Sequence, residues 1–237
     1  MLKKYIYIIM LFNAIFSYNS QASDHYSGIS LNATRVIYDS ERNSVSLRVN
    51  NSNKELTWLL RSWVSNYSDN EINNSFILTP PLYRLSPQEN LQLRIENIKP
   101  LPKDRESVFR INVLAIPPKS NIKTTDNKSS NGMQFAINNR IKLFYRPNEL
   151  NIPEKVKSAY KEIKVQKQRD LLDLHNPTPY YISLDNVRIN GKAVSGINDF
   201  MIAPFSSLTI PVKNVKSLSY NTINDYGGNT PKTDITF

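Results

Sequence analysis

Between Met133 and Pro147 the chain alternates in a way that fits a strand and not a helix. Met133, Phe135 and Ile137 are apolar, Gln134 and Asn138 are polar, and Ala136 is small. Successive side chains of a strand point to opposite faces. The pattern therefore predicts a long strand over 133–145 whose first half carries three large apolar groups in a row on one face. Farther along, Lys142 is an isolated cation within the apolar run of Ile141, Leu143, Phe144 and Tyr145. Periodicity leaves two destinations open for the row: the interior of its own domain or a groove on another chain. A sheet edge with such a row invites another strand to pair with it, so recognition by strand addition is the reading to test.

Period-two patterning extends along the chain. Candidate strands run from Ile29 to Tyr38, from Val45 to Val49 ahead of a turn at 50–54, and from Trp58 to Val64, which holds both tryptophans. Leu91 to Ile95 alternates again, and Val108 to Ile116 is stopped by Pro117-Pro118. Short strands between Asn, Ser, Gly and Pro turns predict a β-sandwich. The best helical candidate, Glu154 to Leu174, is charged all round for much of its length. The stretch from Pro147 to Pro153 reads as a linker. Beyond it, Tyr180 to Leu184, Val187 to Ile189 and Ser207 to Ile210 predict a second, smaller β-domain, with Asn190-Gly191 as a hairpin turn. The expected limits are 23–147 for the first domain and 148–237 for the second, with 148–153 as linker.

The N-terminus predicts export. Lys3 and Lys4 precede an apolar stretch of 12 residues from Tyr5 to Phe16, and Ser20-Gln21-Ala22 offers small residues for cleavage near Ala22. This is the pattern of a secretory signal peptide over 1–22. It is too short for a transmembrane helix of about 20 residues, and no later stretch approaches that length, so stable membrane insertion is not expected. Formal charge is +10, or +8 once Lys3 and Lys4 are removed, which favours anionic partners. Export and the lack of any nucleic-acid motif argue against nucleic acid. There is no cysteine, so the cores must hold both domains. The two histidines are His25 and His175, the latter adjoining Asn176-Pro177. With no nucleophile–base order, phosphate loop or metal-ligand spacing, no enzyme activity, cofactor or metal is expected.

Six short segments then bear on identity. They are Thr34-Arg35-Val36-Ile37-Tyr38; Thr79-Pro80-Pro81 ahead of Arg84-Leu85-Ser86-Pro87; Asp104-Arg105-Glu106-Ser107-Val108-Phe109, leading to Asn112 and Ile116-Pro117-Pro118; Ile141-Lys142-Leu143-Phe144-Tyr145-Arg146-Pro147; Asn176-Pro177-Thr178-Pro179-Tyr180-Tyr181; and Ile223-Asn224-Asp225-Tyr226-Gly227-Gly228. In this order they resemble the periplasmic chaperones of the chaperone–usher fimbrial pathway, the PapD-like family, across essentially the whole mature chain. The resemblance implies an all-β fold of two immunoglobulin-like β-sandwich domains, set at an angle with a cleft between them. It implies binding of fimbrial subunits that lack their last strand, donation of the chaperone's own strand, and delivery to an outer-membrane usher, without nucleotide or metal.

The resemblance also assigns residues. Strand 133–145 is the one lent, with Met133, Phe135 and Ile137 entering the subunit groove. Arg35 and Lys142, read alone, are cations on apolar strands that can snorkel or lie on a solvated face. In family terms they anchor the subunit's C-terminal carboxylate, with Thr34 assisting. Glu106, Arg146 and Asp225 match an interdomain ion-pair network. The loop from Lys119 to Gly132 is 14 residues long and polar, with Ile122 its only strongly apolar member. It is longer than in the short-loop branch and lacks the cysteine pair of the long-loop branch, so the branch stays open. Concealment of the free apolar row by this loop or by a second copy of the chain also stays open. The alternative function is a secreted immunoglobulin-like adhesin or fibre subunit. Such a subunit needs an alternating apolar N-terminal extension, and residues 23–28 offer only Tyr26.

Overall fold

The computed structural model describes residues 28–118, 135–197 and 199–237. The expected signal segment 1–22, the loop 119–132 and Met133 lie outside the described residues.

Alternation sets which side of each strand is buried. In β3 (Val45–Asn51), Leu47 and Val49 are fully buried between exposed Ser46 and Arg48. In β7 (Asn90–Asn97), Leu91, Leu93 and Ile95 are buried between exposed Gln92 and Arg94. These strands join β1 (Ile29–Leu31) and β5 (Phe76–Thr79) in a sheet of order β1-β3-β7-β5. A second sheet runs in the order β2 (Arg35–Asp39), β9 (Ile137–Arg146), β8 (Ser107–Ile116), β4 (Trp58–Asn66) and β6 (Leu82–Leu85). Leu47, Leu93 and Ile95 of the first sheet share one core with Leu60, Ile111, Val113 and Leu143 of the second. Each such side chain contributes about 1.5–3 kcal/mol on full burial.

Two expected strands change shape. Ile29 to Tyr38 is not continuous: β1 pairs antiparallel with β3, whereas β2 pairs parallel with β9. Asn32 ends the first ladder, its side-chain carbonyl accepting the Arg48 N–H at 2.9 Å, and the chain then crosses to the other sheet. The strand expected over 133–145 begins, among the described residues, at Ile137, so Phe135 precedes it. Ile137 pairs with Ala115, and Pro117-Pro118 just past β8 have no N–H with which to extend the ladder. A further crossing between sheets, from β5 to β6, occurs at Pro80-Pro81, where the Thr79–Pro80 peptide is cis.

The second sandwich pairs β10 (Lys164–Gln168), β11 (Leu171–Asn176) and β15 (Ser206–Pro211) in one sheet. The other contains β13 (Lys192–Ala193), β12 (Ile182–Ile189), β16 (Ser217–Thr222) and β17 (Thr233–Thr236), with β14 (Met201–Ile202) also on β12. The segment from Glu154 to Leu174 is helical only in α1 (Pro153–Ser158) and a following 3-10 turn, and then forms the β10–β11 hairpin. Leu172 and Leu174, both fully buried, share a face at a spacing of two in a strand but not in a helix. Asn190 and Gly191 have φ of 51° and 77°, as a two-residue hairpin turn requires.

The Asn176-Pro177-Thr178-Pro179 bend joins the two sandwiches. Buried Asn176 donates to the carbonyls of Tyr180 at 2.7 Å and Ala203 at 3.1 Å, and its own side-chain carbonyl accepts the Thr178 N–H at 3.0 Å. The bend so held presents the Pro179 carbonyl to the Glu106 N–H at 2.9 Å. It also presents the Tyr181 N–H to the Glu106 carboxylate at 2.8 Å.

Candidate anion-binding cleft

Strands β2, β9 and β8 are neighbours, and their registers set Arg35 opposite Lys142 and Lys142 opposite Arg110. Adjacent strands lie about 4.8 Å apart, so three cations stand abreast on one sheet face. Like charges directly opposite one another are destabilising, and an anion is what relieves such a row. The other face of the same strands holds Val36, Leu143, Phe109 and Ile111 in the core.

Each cation has a distinct setting. Arg35 Nη1 donates to the Ile223 carbonyl at 3.2 Å, and its guanidinium lies 5.6 Å from the Phe144 ring centre. Its buried Nε has no hydrogen-bond partner among the described residues. Burial pushes the Arg35 guanidinium down, opposed by the charges of Asp225 and Glu106. Arg110 Nε donates to the Tyr67 carbonyl at 3.3 Å, and the guanidinium packs 4.1 Å from the Tyr67 ring centre. Lys142 Nζ lies 3.1 Å from Asp199 Oδ1. Burial, then Arg35 and Arg110, pushes the Lys142 ammonium down to about 8. Burial pushes the Asp199 carboxyl up. The contact has the geometry of an ion pair, yet both partners are shifted toward their neutral forms, because burial disfavours each charge and Arg35 and Arg110 further disfavour that of Lys142. Beside them a cavity of about 460 Å³ is lined by Tyr67 and Val108 of the first domain and by Tyr181, Met201 and Ala203 of the second.

The turn at 223–228 closes over the start of β2. Gly227 has φ of 83°, and a Cβ there would overlap the Thr34 hydroxyl. A glycine lets the turn approach close enough to bring the Ile223 carbonyl to Arg35. Thr34 itself is exposed at this contact.

Arg146 lies two residues past Phe144 on β9 and is almost fully buried. Its Nε donates to Glu106 at 2.7 Å, and its two terminal nitrogens donate to Asp225 at 2.7 and 3.0 Å. The three residues expected to form an interdomain network are thus in direct contact. Burial opposes the charged guanidinium, but hydrogen bonds and charge from Asp225 and Glu106 more than offset it and raise Arg146 above its ordinary value. Burial pushes the Glu106 carboxyl up, opposed by Arg146 and the Tyr181 N–H.

The apolar row lies at the far end of β9. Ile137 is 52 % and Phe135 67 % exposed. Ile137 is opposite fully buried Ala115 and shares its face with Ile141, Leu143 and Tyr145. The row therefore continues the core-facing side of the strand past the end of the core. β2 covers β9 only from Lys142 to Arg146. From Ile137 to Ile141, no strand among the described residues lies on that edge.

Arg110, Tyr67, Asp199 and the Ile223 carbonyl were not anticipated. Arg110, within Val108-Phe109-Arg110-Ile111, has the same cation-in-apolar-strand pattern that singles out Lys142. Asp199 carries no such local signal, since its contact depends on how the two domains pack.

Residues 28–151 match the N-terminal domain of PapD, described as a pili and flagellar-assembly chaperone, and residues 158–234 match the C-terminal domain of the pili assembly chaperone PapD. The chain belongs to the PapD-like family of pilus-assembly chaperones. Its two sandwiches are the immunoglobulin-like domains of that family, as the motifs implied. The chain is 40 % identical over 203 residues to the probable fimbrial chaperone LpfB of Escherichia coli O157:H7, covering 84 % of each chain. It is similar to the crystal structure of the periplasmic chaperone SfaE, with TM-score 0.73 and 33 % identity over 89 % of this chain and 100 % of that one. It is also similar to a structure of the Salmonella enterica SafA pilin with the SafB chaperone, with TM-score 0.75 and 28 % identity over 89 % and 97 %. The PapD-like family consists of chaperones, not enzymes, which agrees with the missing catalytic motifs.

Proposed function

We propose that this PapD-like chaperone works in the periplasm, binds pilus subunits by lending them the strand over 133–145, and passes them to an outer-membrane usher. The observation that carries the reading is the half-open edge of β9, which stops at Arg35 and Lys142. A subunit lacking a strand has unpaired backbone groups and an apolar groove, each costly if left buried and unfilled. The open edge supplies backbone partners whatever the subunit's sequence. Ile137 and Phe135, with Met133 preceding them, supply the groove contacts at period two.

The orientation of the incoming strand follows from β2. That strand starts at Arg35, opposite Lys142, and runs parallel to β9. A strand docked on the same edge ahead of β2 must end near Arg35. It brings a carboxylate there only if it too runs parallel to β9; an antiparallel strand brings its N-terminal ammonium against the cations. Bonds from Arg35 and Lys142 to a carboxylate contribute about 1.5–3 kcal/mol each. They also set register, since a slip of one residue turns the apolar row to the wrong face. Thr34, at the mouth of this anchor, assists it. Glu106, Arg146 and Asp225 hold the first domain, 23–147, at a fixed angle to the second, 148–237, across the linker 148–153. Residues 1–22 direct export and are removed near Ala22. Resemblance to SfaE, which is described as periplasmic, and to SafB, which was solved with its pilin, supports the compartment and the partner.

The test is co-purification from periplasm with subunits encoded by adjacent genes. Wild type is expected to recover a one-to-one complex, and Lys142→Ala and Arg35→Ala to lose it while remaining folded. Full retention by both variants would remove the anchor from the mechanism.

A further inference from the structure

The carboxylate already in the cleft is the protein's own. Asp199 lies in the segment between β13 and β14, on the second domain, and its Oδ1 is 3.1 Å from Lys142 Nζ on the first. Its backbone is held nearby: the Phe200 carbonyl accepts the Leu184 N–H at 2.6 Å, and Met201 pairs with Ser183. The side chain, in contrast, makes no hydrogen bond or ion pair among the described residues other than that with Lys142. Releasing it therefore breaks one contact and disturbs no network among the described residues. The side chains of Asp199 and Lys142 are 36 % and 21 % exposed, so the pair can be reached from solvent. Asp199 presents to Lys142 the same group, a carboxylate, that the end of a polypeptide presents.

Resting on the anchor reading above, we propose that Asp199 is an internal competitor for the anchor, which an incoming terminal carboxylate must displace from Lys142. The interaction sets a threshold. With Lys142 already paired, a lone carboxylate exchanges one ion pair for another and gains little. A strand that also fills the open edge of β9 gains backbone pairing and groove contacts that Asp199 cannot match. Asp199 thus selects for ligands that supply both the carboxylate and the strand. Asp199 is a specificity-determining residue in this account, and it keeps the row of three cations partly neutralised when no ligand is present.

The probe is a fluorescent seven-residue peptide of alternating valine and threonine, made with a free C-terminal carboxylate and as its C-terminal amide. Both forms are titrated against the mature chain as wild type, Asp199→Asn, Asp199→Ser, Asp199→Glu and Lys142→Ala, with thermal melts as folding controls. The expected result is that Asp199→Asn and Asp199→Ser bind the carboxylate peptide three- to tenfold more tightly than wild type and the amide unchanged. Asp199→Glu stays near wild type, and Lys142→Ala loses the carboxylate preference. A carboxylate preference that appears only in the two neutral variants supports the same conclusion. A preference in wild type that neither neutral variant increases overturns the competition and leaves the anchor standing. No preference in any variant overturns the anchor reading, and the competition with it.

Discussion

Lys142 shows how one side chain is set by three strands. Alone on β9 it would be an ordinary amphipathic lysine. Between Arg35 and Arg110, and largely buried, its ammonium is held down at about 8. Two pH effects follow with opposite signs. Ligand anchoring needs the charged form, so affinity for a terminal carboxylate should fall as pH rises through about 8, with the amide showing no such fall; titrations at pH 7 and 9.5 check this. Folding behaves otherwise. A lysine whose folded value lies below its free value of 10.5 destabilises the native state fully below about pH 8, and that cost is relieved between about 8 and 10.5. Lys142→Met should therefore raise denaturation stability relative to wild type at pH 7, and the gain should shrink by pH 10.5.

At the scale of the element, β9 has two halves with different burial on one face. Leu143 is fully buried in the first core, whereas Ile137 on the same face is mostly exposed beyond it. Leu143→Ala should cost about 2–5 kcal/mol in chemical denaturation, as for other deletions from a packed core. Ile137→Asn should change stability by less than about 0.5 kcal/mol, in line with surface substitutions, and yet weaken capture of pilus subunits. If Ile137→Asn destabilises the free protein as Leu143→Ala does, the row belongs to the chaperone's own core. Alternation marked the row but could not say where the core ends. That end is set by β8, whose ladder to β9 stops at Ala115 ahead of two prolines.

For the whole molecule, a few polar contacts link the two domains. Arg146 joins Glu106, just ahead of β8, to Asp225 on the turn after β16, and the same turn meets Arg35 through the Ile223 carbonyl. Removing one member of a buried ion-pair network leaves the others unpaired, at about 3–5 kcal/mol. Arg146→Glu should lower the melting temperature, change the interdomain angle seen by small-angle scattering, and weaken subunit binding, although Arg146 lies outside the proposed anchor. An unchanged angle together with unchanged binding would reduce the network to local stabilisation of the Pro179–Tyr181 bend.

Strand-forming segments, two sandwich-like halves, and cations on the outer face of apolar strands were legible in the sequence, because a strand's side-chain period is two and is written locally. The ordered motifs also pointed to the PapD-like family. The Asn190-Gly191 turn was readable for the same reason: it acts through backbone within a few residues of itself. The split of Ile29 to Tyr38 between two sheets and the hairpin within Glu154 to Leu174 were not, since both depend on which distant strand offers a partner. Nor was the row of Arg35, Lys142 and Arg110, three residues far apart in the chain that register alone brings abreast. Asp199 depends most on the tertiary fold. Nothing beside it in the sequence marks it, and it meets Lys142, 57 residues earlier, only through the packing of the second domain against the first. Local alternation fixes which groups a strand carries on each face; packing between distant segments fixes where strands break, which partners they take and which charges meet.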